Sequence, residues 1–218
     1  MSEPNTVSSA RWLALLLAAM PLPALAQSAG HAEGPRPQLA AGERVEVQLS
    51  ADLNSDRHAD LAYIARAEES RELRVVLSHD SEVELGEEVP QVLPLDPYPL
   101  GDGSLSVKRN VLVLEDLTGG TTAISSLRRF RFDPALAAMR TIGIDATLYS
   151  RTYAHDGKEV SWNLLTGVLV SRELRLNQGA GDAAYDKVQE RRSRRTSPPL
   201  RLEDAPDPDT LLGWPGAE

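Results

Sequence analysis

Apolar and polar positions trade places along most of this chain with a period of two, the signature of β-strands with one buried face. Val45, Val47 and Leu49 alternate with Glu46, Gln48 and Ser50. Leu61 to Ala65 is continuously apolar and reads as a buried strand. Glu68-Glu69-Ser70 is a turn, and Leu73-Arg74-Val75-Val76-Leu77 returns from it. Val83, Leu85 and Val89 then alternate with Glu82, Glu84 and Glu88. The succession predicts an antiparallel meander over residues 43–95. Pro90, Pro94, Pro97 and Pro99 follow within a few residues of one another. Proline cannot donate to a sheet ladder, so Pro90 to Gly103 is expected to be a loop crossing to a second subassembly.

That second subassembly spans residues 104–177. Val111-Leu112-Val113-Leu114 is its most apolar strand, stopped by Thr118-Gly119-Gly120. Leu127, Phe130 and Phe132 sit among Arg128, Arg129 and Arg131, which predicts a strand with one charged face. Asp133-Pro134 is suited to open a short helical turn running to Met139. Ile142, Ile144, Ala146 and Leu148 alternate, and Asp156-Gly157 has the tolerance for positive φ that a tight hairpin turn uses. Val160, Trp162 and Leu164 return, Thr166-Gly167 turns again, and Val168 to Leu176 closes a second meander. No amphipathic stretch is long enough for a substantial helix. The expected fold is mainly β: a single compact domain of antiparallel meanders and hairpins.

The two ends differ from this middle. Residues 1–26 carry Arg11, an apolar run from Trp12 to Met20, a break at Pro21 and Pro23, and the small-x-small pattern Ala24-Leu25-Ala26. That is the layout of a signal peptide cleaved near Ala26. The apolar run is well short of the ~20 residues a membrane-spanning helix needs, so stable membrane insertion is not expected. Residues 27–42 are small and Pro-rich, a flexible linker. Residues 178–218 read as a charged, Pro-rich tail, with the basic cluster Arg191, Arg192, Arg194 and Arg195 before an acidic stretch from Glu203 to Asp209. Leu200 and Leu202 are expected to add one edge strand, with loop or disorder elsewhere and particularly after Ala205. An exported protein, periplasmic or secreted, is the expectation. It has no cysteine, so neither a disulfide nor a lipid-modified cysteine is available. A net charge of −9 makes nucleic acid a poor partner.

One stretch carries candidate chemistry. Asp52, Asn54, Asp56 and Asp60 supply side-chain oxygens, the first three at alternate positions, and His58 offers a backbone carbonyl between them. Alternating oxygens can wrap a loop around a hard cation, and Ca²⁺ takes six to eight such ligands. The competing reading is an Asx-rich turn, since Asp and Asn favour turns with no ion present. At this point the chain resembles the FG-GAP or VCBS-type calcium-loop repeats of integrin-α-like propellers, with the D-x-[DN]-x-D-G-x-x-D-[LIV] signature. Asp52, Asn54, Asp56, Asp60 and Leu61 match it, while Arg57 replaces the glycine. The resemblance covers one copy, roughly residues 45 to 78, and implies that the matched acids and Asn54 are calcium ligands. One copy in a chain of this length is too little for a complete propeller of roughly four to eight blades. The segment from Val111 to Gly167, with Pro199-Leu200-Arg201-Leu202-Glu203-Asp204, also resembles a group of exported bacterial proteins, a likeness that brings no activity with it.

Other groupings are open in both directions. His79-Asp80 and His155-Asp156 fall at turns, where surface roles compete with acid–base ones. Tyr149, Arg151 and Tyr153, with Trp162 on a neighbouring strand, would suit a sugar or peptide, or simply stabilise a hairpin. No G-x-S-x-G, H-E-x-x-H or phosphate-cradling glycine loop occurs. The sequence therefore points to an exported non-catalytic module with a structural or binding role in the bacterial envelope, its partner an unknown protein or glycan. The alternatives are an envelope enzyme acting on a polymer through a dispersed site involving Asp116, His155 or Asp156, and a recruited subunit of a larger complex.

Overall fold

Twelve strands, a 3₁₀ turn and one short helix make up the computed structural model, which describes residues 34–78, 89–177 and 184–214. Residues from Gly34 onward form one compact unit. The expected signal peptide, the start of the linker, the alternation at Val83 and Leu85, and the His79-Asp80 pair lie outside the described residues. Val89 is described and is 86% exposed rather than on a strand.

Strands β1 (Arg44–Ala51), β2 (Asp60–Arg66), β3 (Arg71–Val76) and β4 (Gln91–Pro94) form a four-stranded antiparallel sheet in chain order. The first meander is therefore present, but its fourth strand lies inside the stretch expected to be only a crossing loop. Pro94 is accommodated because β4 is an edge strand, where a missing N–H is harmless. A bulge interrupts β1: Val45 pairs with Ala65 and Val47 with Ile64, which leaves Glu46 as the extra residue. Val45 consequently packs with Leu61, Tyr63, Ala65 and Val76 on one face, while Val47 and Leu49 join the main core on the other. Strict alternation placed all three on one face and Glu46 in solvent. The bulge overturns both assignments.

The second sheet runs β5 (Ser104–Lys108), β6 (Val111–Gly119), β7 (Thr122–Asp133), β8 (Ala138–Ser150), β9 (Gly157–Asn163), β10 (Val168–Leu176) and β11 (Tyr185–Arg194), all antiparallel neighbours in chain order. Strand β12 (Leu200–Arg201) adds to β8 at Thr141 and Arg140. The described residues close neither a barrel nor a propeller. The expected helical turn after Asp133 is a tight hairpin connection, with Asp133 accepting from the Ala135 amide and Ala137 at φ 47°. Gly167 does supply the left-handed residue of its turn, at φ 73°. Asp156-Gly157 does not: the left-handed residue there is Tyr153, and Gly157 is needed because a Cβ would lie 2.5 Å from the Leu148 carbonyl oxygen.

The tail is built, not loose. β11 comes from the segment expected to be solvated loop, and α1 (Pro208–Leu212) follows a 3₁₀ turn at Leu202–Asp204. Local chemistry explains α1: Asp207 accepts from the Asp209 and Thr210 amides as N-cap, Pro208 follows it, and Gly213 ends the helix at φ 66°. Leu212 buries itself against Ile124, Ala146, Leu148 and Val160. Full burial of one such leucine contributes about 1.5–3 kcal/mol.

One face of the second sheet carries two covers. Leu105, Leu112, Leu114 and Phe130 at one end join Ala62, Ile64, Leu73, Val75 and Leu93 of the first sheet in a shared core. The α1 leucines cover the other end. Register places Asp116 opposite Ser126, Leu114 opposite Arg128 and Arg128 opposite Ile144, so polar residues occupy the middle of that face.

Candidate functional site

The acidic loop connects β1 to β2, and its side chains are engaged with its own backbone. Asp52 accepts from the Ser55 amide at 2.6 Å and the Arg57 amide at 3.1 Å. Asn54 accepts from the Asp56 amide at 3.0 Å and donates to Asp56 Oδ2 at 2.8 Å and to the Ser78 carbonyl at 3.3 Å. Asp56 accepts from the His58 amide at 2.7 Å, and the His58 ring Nδ1 lies 3.5 Å from the same oxygen. Asp60 is buried and accepts from the Leu53 amide at 2.6 Å, the Ser78 amide at 2.8 Å and the Ser78 hydroxyl at 3.1 Å.

The structure thus joins Asn54, Asp56 and His58 in one chain of contacts and ties Asp60 to the end of the β3 segment. Among the described residues, no group of three or more His, Cys, Asp or Glu side chains is placed to hold a metal. Burial pushes the Asp60 carboxyl above its ordinary range despite the amide bonds it accepts, and the charge of Asp56 adds to the rise. Burial acts the same way on Asp56, but the bonds from His58 and Asn54 outweigh it and lower that carboxyl. Arg57, standing where the resembled repeats have glycine, adopts φ 73°, the left-handed backbone that glycine serves there.

Two further features were invisible as sites in the sequence. Both are buried arginines, with opposite fates.

Arg71, on β3, uses all five of its N–H donors. Nε and Nη2 grip Glu46 at 2.9 and 2.7 Å. Nη1 and Nη2 grip Asp116 at 2.8 and 3.0 Å, and Nη1 also reaches the Asp96 carbonyl at 3.4 Å. Glu46 additionally accepts from the Gly103 amide at 2.7 Å. Glu46 and Arg71 belong to the first sheet and Asp116 to the second, so the network clasps one sheet to the other. Burial disfavours the Arg71 charge, yet its carboxylate partners raise the guanidinium pKa; the same bonds hold Glu46 below its usual range against burial.

Arg128 on β7 has no such partners. It is 7% exposed, its Nε has no hydrogen-bond partner, and no ion pair to it forms among the described residues. Arg129 pairs with Asp145 at 2.5 Å, so the charged face expected of this strand holds for Arg129 and Arg131 but not for Arg128. Arg128 lines a cleft of about 460 Å³ in the gap between the two covers of the second sheet. Its floor is Asp116, Thr118, Ser126 and Arg128; one wall is Pro94 to Tyr98, and the other is Asp207, Pro208 and Asp209. Burial lowers the Arg128 pKa, opposed by the fields of Asp116, Asp207 and Asp209 and reinforced by Arg71. Burial also raises the Asp209 carboxyl, as do the charges of Asp207 and Asp96, while Arg128 pulls it down.

Comparison with family models, curated proteins and solved structures finds no match. No helix among the described residues is long and apolar enough to cross a membrane.

The remaining candidates separate. Asp116 spends both oxygens on Arg71, whereas His155 bonds the Thr122 hydroxyl at 2.8 Å and donates to the Asp156 carbonyl at 2.6 Å. Tyr149, Arg151 and Tyr153 do share a shallow pocket, joined by Tyr185. Trp162 is elsewhere, buried beneath the Arg195 guanidinium at 4.6 Å and donating to the Arg195 carbonyl at 3.0 Å. The period-two pattern could show that position 128 lies on a strand. It gave no sign of which arginine faces inward, because the pairing that decides it comes from β6 and β8.

Proposed function

We propose that this chain is an exported, non-catalytic β-module of the bacterial envelope whose role is to bind, and that the cleft floored by Arg128 is its binding site. The observation that carries the reading is a guanidinium at the base of a cleft with no hydrogen-bond or ion-pair partner among the described residues. A buried charge with no bonded partner is costly even in the fields of nearby carboxylates, and departures of this kind from consistent packing concentrate at functional sites. A guanidinium keeps its proton at any working pH and presents fixed donors, which suits recognition of a ligand rather than proton transfer.

Arg128→Met tests the reading. It keeps the volume and removes the charge, so the full chain should melt roughly 2–4 °C higher for each kcal/mol recovered. A lower melting temperature would mean that the arginine serves the fold. Export is tested separately by mass spectrometry of secreted material, which should begin at Gln27 and not at Met1.

A second reading, calcium stabilisation of the β1–β2 hairpin, is favoured by the left-handed backbone at Arg57. A cation bound only by the folded chain would raise its melting temperature. Calcium titration should then raise it for the natural protein and not for Asp56→Ala; no change in either disposes of the ion.

A further inference from the structure

Resting on the cleft as the binding site, we propose that it takes a small zwitterion of amino-acid or dipeptide size, its anionic end on Arg128 and its cationic end on Asp209 and the neighbouring acids. The charges on the lining lead to this class. Asp116 spends both oxygens on the two-pronged grip of Arg71, which leaves Arg128, the one cation among the described lining residues, facing Asp96, Asp207 and Asp209. Asp207 spends an oxygen on the Asp209 and Thr210 amides, and Asp96 spends one on the Tyr98 amide. Asp209 caps nothing, and its carboxyl stands in the fields of the other two.

A simple anion seated on Arg128 would meet these three carboxylates at close range. A simple cation would satisfy the carboxylates but leave the guanidinium buried and unbonded. A ligand carrying both charges answers both walls at once. The guanidinium fork matches a planar carboxylate with two parallel bonds, and Thr118 and Ser126 add hydroxyls beside it. Pro94, Leu95, Pro97 and Pro208 give the walls an apolar component, and Tyr98, 66% exposed, stands among the lining residues. The volume lies within the range of small-molecule pockets, roughly 300–1,000 Å³.

Calorimetry and thermal melting on the full chain test this, with L-alanine and L-alanyl-L-alanine as zwitterions. N-acetyl-L-alanine lacks the cation, L-alaninamide lacks the anion, and inorganic phosphate serves as a plain anion. The better zwitterion is expected to bind about tenfold or more tightly than its acetylated or amidated counterpart and to raise the melting temperature. Arg128→Met should abolish that binding while melting higher. Asp209→Asn should weaken zwitterion binding about tenfold and, by removing a like charge, strengthen the weak binding of N-acetyl-L-alanine. If N-acetyl-L-alanine or phosphate binds as well as the zwitterions, or no zwitterion binds, the ligand class is wrong. If Arg128→Met also melts lower, the cleft itself is not the binding site.

Discussion

At the scale of single residues, the two buried arginines predict opposite responses to the same change. Arg71→Met strips five hydrogen bonds from a clasp and strands Glu46 and Asp116 as buried carboxylates. It should cost about 3–5 kcal/mol in urea unfolding, the usual result of removing one partner from a buried ionic group. Arg128→Met should move stability the other way. Glu46 also sets a pH dependence. Its folded-state pKa is depressed below 4.5, so the stability it lends is complete above that value and is lost as pH falls through the folded pKa. Acid melting curves should show this loss, and Glu46→Gln should flatten it. At Arg57, φ 73° carries the strain of a side chain in left-handed backbone, about 1–2 kcal/mol, partly offset by the greater freedom glycine has when unfolded. Arg57→Gly should therefore raise stability by up to about 1 kcal/mol in the same unfolding assay. The sequence displayed the acidic loop plainly because its ligand-type residues are close in sequence. It hid the arginine sites because their partners come from strands far along the chain.

At the scale of elements, strand identity was legible where a long run buries at least one face, as in β2, β6, β8 and β9, but not in β4, whose neighbouring prolines read as a crossing loop. Exposure hid one strand altogether, and a bulge reversed the faces of another that was read as a strand. The β1 bulge put Glu46 inside, and β11 is exposed along nearly its whole length, so no apolar period marked it as a strand. β11 is held by ladder bonds to β10 and by the pairing of Arg172 with Glu190 across the two strands. As an outer strand it presents unpaired backbone groups, and Lys187, Arg191, Arg192 and Arg194 are the kind of charges that discourage another edge from joining. Replacing Arg191, Arg192 and Arg194 together by Thr should promote concentration-dependent association, visible by analytical ultracentrifugation, with little change in monomer melting.

For the molecule as a whole, the second sheet is a platform, and its two covers leave a polar strip between them. The division into two meanders was readable from the proline-rich break near residues 90–103. The covering role of the C-terminal segment was not: α1 is five residues long, too short to show a period, and its value lies in Leu211 and Leu212 reaching β8 and β9. Leu212→Ala should cost about 2–5 kcal/mol by leaving a cavity over Ile124 and Leu148.

Asp116 has a consequence at this scale. Its oxygens belong to the clasp between the sheets, while its charge is also the first counterweight felt by Arg128. The seam and the cleft therefore share an ion. Asp116→Asn should register in two unrelated assays together, loosening the docking of the sheets and altering affinity at the cleft, and such crosstalk needs neither a moving part nor a relay of side chains.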